Sequence, residues 1–87
     1  MKTCNEKEWD NFITKWIIKY VDDITNADTH IDRLVNRFER TCIIVNKKSG
    51  RTAIAKCHDL DRFDSNVGLA IAYARYRGQE IPRVVKE

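Results

Sequence analysis

From Trp9 onward the apolar residues Trp9, Phe12, Ile13, Trp16, Ile17, Tyr20, Val21 and Ile24 recur at three- and four-residue steps. That spacing gathers them on one wide face of a helix and turns Lys7, Lys15, Lys19 and Asp23 toward water. Asn5 and Glu8 precede the run with the spacing of a capping box, in which each side chain can accept the other's free N–H. Further on, Ile17, Tyr20, Ile24, Ala27, Ile31, Leu34 and Phe38 keep an unbroken 3-4 alternation, the seam pattern of a coiled coil. Two readings stay open. One helix over residues 6–39 would be about 50 Å long, against a radius of gyration of about 12 Å for a compact chain of this size. A break near Asn26 to Thr29, with Asp28 or Thr29 capping a second helix, lets two helices fold back on each other and is favoured. The second helix would bury Ile31, Leu34, Val35 and Phe38 and show Arg33, Arg37 and Arg40 as one stripe.

After residue 40 the pattern changes. Thr41-Cys-Ile-Ile-Val45 and Arg51-Thr-Ala-Ile-Ala-Lys-Cys57 are β-rich runs around Asn46-Lys-Lys-Ser-Gly50, which predicts a hairpin with Gly50 at positive φ. A two-residue turn would set Cys42 opposite Cys57, and a three-residue loop with a bulge would set Thr41 there. Either register puts Ala53, Ala55 and Cys57 on one face, small enough to admit a helix backbone. An acidic elbow, Cys57 to Asn66, then leads to a last helix capped by Asp64 or Ser65. Val67, Ala70, Ile71 and Ala74 form one apolar face of that helix, and Leu69, Ala72, Tyr73 and Tyr76 form another. Such a helix belongs in the centre of the fold. Gly68 costs up to about 1 kcal/mol of helix propensity and marks a close crossing. Gly78 ends the helix and Pro82 forbids its return. Arg83-Val-Val85 can add a short edge strand. The expected fold is α+β: two N-terminal helices (or one long helix), a β-hairpin and a central C-terminal helix. Residues 1–87 form one domain, with a helical part over 1–39 and a hairpin–helix module over 40–87.

With 87 residues, 43% hydrophobic and 33% charged, the chain is long enough for one core. No apolar run approaches the roughly 20 residues of a membrane span, and no signal peptide is expected. Three cysteines are too few and too scattered for a disulfide scaffold, so a reducing cytoplasm is the expected setting. The net charge of +3 is unevenly spread. Residues 1–32 hold four lysines against seven acidic residues, and residues 33–87 hold twelve Lys and Arg against six acidic residues. An anionic partner for the second half is one consequence, and contact between two copies is another.

Chemistry is thinly represented. Cys57 and His58 are adjacent, so on a strand they point to opposite faces and cannot act as a nucleophile–base pair. Cys42, Cys57, His58 and an elbow aspartate match no zinc spacing. Asp59-Leu-Asp61 starts like a calcium loop, but Phe63 stands at a ligand position and Asp64 where glycine is required. With no phosphate loop or paired-carboxylate motif either, neither enzyme activity, nor a cofactor, nor a metal is expected. The exposed basic residues Arg33, Arg37, Arg40, Lys47, Lys48 and Arg51 are the candidate partner-binding set.

The run Ala53-Ile-Ala-Lys-Cys-His-Asp-Leu-Asp-Arg-Phe-Asp64, followed by Gly68-Leu-Ala-Ile-Ala-Tyr-Ala-Arg75, resembles a module of small phage and prophage proteins of Gram-positive bacteria. The likeness covers about residues 50–78, and Leu60 departs from it where proline or an acidic residue is common. The resemblance implies a phage accessory origin and brings no particular chemistry. It suggests a cytoplasmic protein of the host bacterium that binds a host protein or ribonucleoprotein complex, such as a CRISPR effector, and inhibits a defence system. Nucleic-acid binding through the basic surface is the first alternative. A homodimer through the N-terminal helices is the second. No membrane partner is expected.

Overall fold

The computed structural model describes residues 3–26, 30–57 and 63–85. Helix α1 (Glu6–Asn26) begins at the capping box. The Asn5 N–H donates to Glu8 Oε1 at 3.1 Å and the Glu8 N–H donates to Asn5 Oδ1 at 2.8 Å, so two otherwise orphaned donors are satisfied reciprocally. Trp16 and Tyr20 are buried, and Phe12, Ile13, Ile17 and Ile24 pack half-buried around them. Val21 leaves the expected face and is 49% exposed.

The helix ends at Asn26, in the region where the break is expected, but no second helix follows. Residues Ile31–Asn36 form strand β2. It pairs antiparallel with β3 (Thr41–Asn46), which pairs antiparallel with β4 (Thr52–Lys56), giving the order β2-β3-β4. Two local features turn the chain away from helix here. Asn36 Oδ1 accepts the Glu39 N–H at 3.0 Å, and Arg40 sits at φ 55, a left-handed conformation that costs a non-glycine residue about 1 kcal/mol. The four residues 37–40 are therefore a hairpin turn. Leu34, Val35 and Phe38 are correspondingly exposed at 59%, 37% and 97%, whereas helical spacing expects them buried.

The second hairpin also departs from both expected registers. Cys42 lies opposite Ala55 and Thr41 opposite Lys56. Asn46 is the cause. Its Oδ1 accepts the N–H groups of both Lys48 (2.9 Å) and Ser49 (3.0 Å), which builds a four-residue loop over 47–50. The loop closes through Asn46 N–H to the Arg51 carbonyl at 2.8 Å, with Gly50 at φ 79 as expected.

Helix α2 (Ser65–Tyr76) is the centre of the molecule. Asp64 caps it, accepting the Asn66 N–H at 2.9 Å. Gly78 at φ 78 closes it as a Schellman motif, with Gly78 N–H to Arg75 O and Gln79 N–H to Ala74 O. Leu69, Ala70, Ala72, Tyr73, Ala74 and Tyr76 are buried, because α2 touches α1 on one side and β3 and β4 on the other. Ala53 and Ala55 face it from β4 as expected. After Pro82, strand β5 (Arg83–Val84) runs parallel to β1 (Thr3–Cys4) as a separate two-stranded ribbon.

The tightest crossing is between α2 and β3. A Cβ on Gly68 would stand 2.4 Å from Cys42 Sγ and 3.2 Å from Cys42 Cβ, so rotating the thiol does not clear it. Next to this crossing, rings link α1 to α2. Tyr73 meets Trp16 at 6.2 Å, Tyr20 at 5.4 Å and Tyr76 at 5.9 Å between centroids, and its hydroxyl donates to the Asp23 carboxylate. Burial first, and then the hydrogen-bonded Asp23, raise the Tyr73 hydroxyl well above its ordinary 10.0. Burial raises Tyr20 in the same direction.

Two outcomes follow. Gly68→Ala gains about 1 kcal/mol in helix propensity but overpacks a closed contact at about 1–3 kcal/mol, so urea titration should show a net loss of stability. A stabilised Gly68→Ala variant would contradict the crossing. For Tyr73, the unfolded hydroxyl ionises near 10.0 while the folded one keeps its proton. Stability from this group is therefore complete below that pH and falls as pH rises above it. Tyr73→Phe should lower stability at neutral pH and flatten the alkaline decline. An unchanged alkaline slope would contradict the assignment.

Candidate partner-binding surface

Strand alternation decides what each side of the sheet shows. Cys42, Ile44 and Asn46 of β3 face α2, and so do their β2 partners Val35, Arg33 and Ile31. The opposite face is open to water. Across its middle run Leu34, Ile43 and Ile54, directly paired from β2 to β3 to β4. Leu34 is 59% and Ile54 52% exposed. Toward the β2–β3 turn this row is followed by Asn36, Thr41 and Lys56, and beyond them by the turn itself with Phe38 at its tip.

The six basic candidates do not form one surface. Arg33, Arg37 and Arg40 are not a helical stripe, because Arg33 is a strand residue and the other two belong to the β2–β3 turn. Lys47, Lys48 and Arg51 lie at the other end of β3, roughly 20 Å from the turn and about 10 Å from Arg33 at about 3.4 Å per residue. Several are engaged in the fold. The Arg33 guanidinium lies near the Tyr20 hydroxyl, Arg51 lies over the Tyr76 ring at 4.9 Å, and Lys47 meets Asp32 at 3.9 Å. The Arg40 carbonyl accepts the Cys57 N–H at 2.8 Å. Strand periodicity does bring Arg33 and Arg37 together. They line an open groove of about 380 Å³ with Val35, Leu69 and the first turn of α2, Ser65 and Asn66.

Phe38 and the row Leu34–Ile43–Ile54 are the surface feature that helical spacing hides. The β-branched Ile31 and Val35 were the available signal for a strand.

Cys4, Cys42 and Cys57 are not joined in disulfides, and Cys42 is fully buried with its thiol directed to the Ser65 carbonyl at 3.8 Å. Burial first, and then neighbouring Cys57, push that thiol up, opposite to what a nucleophile needs. His58, Asp59, Asp61 and Arg62 of the elbow lie outside the described residues. Among the described residues no group of three His, Cys, Asp or Glu is placed to hold a metal ion, and no helix is long and apolar enough to cross a membrane. No known protein family, curated protein or solved structure matches this chain.

Proposed function

We propose that this protein is a non-enzymatic binding module that docks a protein partner through the β2–β3 turn and the water-facing side of its sheet. The observation that carries this reading is Phe38, 97% exposed at a turn between Arg37 and Glu39. An aromatic ring in full solvent contributes nothing to the fold, and aromatic residues beside arginine are the composition of interface hot spots. The apolar row Leu34–Ile43–Ile54 lies on the same sheet beyond the polar row Asn36–Thr41–Lys56, and Arg37 in the turn and Lys56 beside it give this end of the sheet a basic character that suits an acidic patch. The resemblance of residues 50–78 to phage accessory modules narrows the partner to a host protein or ribonucleoprotein complex. A defence complex such as a CRISPR effector is the first candidate, with action in the host cytoplasm.

Nucleic-acid binding is the second reading, favoured by the groove that Arg33 and Arg37 share. It is the weaker one because the remaining candidates are split between opposite ends of β3.

Affinity capture from host lysate separates the readings. Phe38→Ala and Arg37→Glu should change stability by less than about 0.5 kcal/mol, since both side chains are exposed. Each should nonetheless lose the partners recovered by the parent chain, by roughly tenfold or more. Retention of the same partners by both variants would remove this surface. Binding of generic DNA or RNA that weakens steeply with salt would establish the nucleic-acid reading instead.

A further inference from the structure

The two edges of the main sheet are not equivalent. The Lys47 N–H donates to the His30 carbonyl at 2.8 Å, which fixes the phase of the β2–β3 ladder. In that phase the peptide groups of Asp32, Leu34 and Asn36 point into the sheet. Those of Ile31, Arg33 and Val35 point out from the edge. One of them is held by a neighbour, because Asp32 Oδ1 accepts the Arg33 N–H at 2.7 Å. On the far side, the outward carbonyl of Ile54 in β4 is occupied by Arg75 Nη1 at 2.8 Å. With one outward group engaged on each edge among the described residues, the edges differ in apolar exposure: β2 shows both Leu34 and Val35, whereas β4 shows Ile54 between Thr52 and Lys56.

A second copy is the occupant that this strand suits. Two β2 strands related by a two-fold axis normal to the sheet pair antiparallel with one residue opposite itself. Centring on Asp32 sets two carboxylates face to face, and centring on Arg33 sets two guanidinium groups face to face. Centring on Val35 opposes Arg33 to Arg37. Centring on Leu34 opposes no like charges. It pairs Arg33 with Val35 through their outward peptide groups, the Arg33 N–H exchanging Asp32 Oδ1 for the Val35 carbonyl of the other copy, and it sets Asp32 beside Asn36. The Asn36 side-chain carbonyl already accepts the Glu39 N–H, which leaves its amide N–H groups to donate to that carboxylate. The same register joins Ile54–Ile43–Leu34 of one copy to Leu34–Ile43–Ile54 of the other as one apolar row.

We propose that two copies of this chain associate through antiparallel β2 pairing centred on Leu34, forming a six-stranded sheet. This goes beyond the partner-binding reading and does not depend on it, since neither Phe38 nor Arg37 is needed for strand pairing. It also replaces the N-terminal helices with β2 as the dimer contact.

Sedimentation equilibrium of the intact chain, from micromolar to millimolar protein, tests it. The mass should rise from 10.2 kDa toward twice that value. Leu34→Glu, which sets two carboxylates opposite each other at an exposed site, should weaken association at least tenfold while circular dichroism stays unchanged. A monomer throughout, or a dimer that Leu34→Glu does not weaken, would overturn the proposal. Oxidative cross-linking keeps the register testable on its own. Leu34→Cys should form a covalent dimer faster than both the parent chain and Val35→Cys. Faster linking by Val35→Cys, or no gain over the parent, would overturn it.

Discussion

Tyr73 holds the two halves of the protein to one another. Its ring is fully buried among Trp16, Tyr20 and Tyr76, and its hydroxyl reaches the Asp23 carboxylate on α1. An aromatic residue at this point buries a large area and still finds a partner for its polar end. The acidic partner matters because a buried hydroxyl without one is costly. From Tyr73 the ring contacts run one way through Trp16 and Phe12 to Trp9, and the other way through Tyr76 to Arg51. Helix, helix and hairpin are thus joined by one continuous set of side chains.

Because α2 is shared between α1 and the sheet, the sheet needs only one covered face. Gly68 lets the helix settle onto Cys42, and Ala53 and Ala55 keep β4 low beneath it. Among the described residues no layer covers the other face of the sheet. Its apolar row and the exposed Phe38 follow from that asymmetry, and they are where the proposed binding resides.

Much of this was legible in the chain. The capping box of α1, the Asp64 cap, Gly50 and Gly78 at positive φ and the close crossing at Gly68 each depend on a local rule that tertiary structure left intact. Strand β2 was not legible, because Ile31, Leu34, Val35 and Phe38 satisfy helical spacing as well as any real helix. An edge strand that is half-exposed on both faces has no clean alternation to oppose that pattern. The hairpin register was missed for a smaller reason. Turn rules weigh the residues inside the loop, whereas the Asn46 side chain, standing at its base, sets the length. The basic candidates were identified one by one, but their grouping failed with β2. Period two joins Arg33 to Arg37 and leaves Arg40 in a turn.

Hydrogen exchange of the backbone amides tests the central role of α2 most directly. If α2 and β3 form the shared core, their amides, from Leu69 to Tyr76 and at Cys42 and Ile44, exchange slowest and open only with global unfolding. Amides of α1 should exchange no more slowly than these. Exchange of α2 through a lower-energy opening while α1 stays protected would contradict the account.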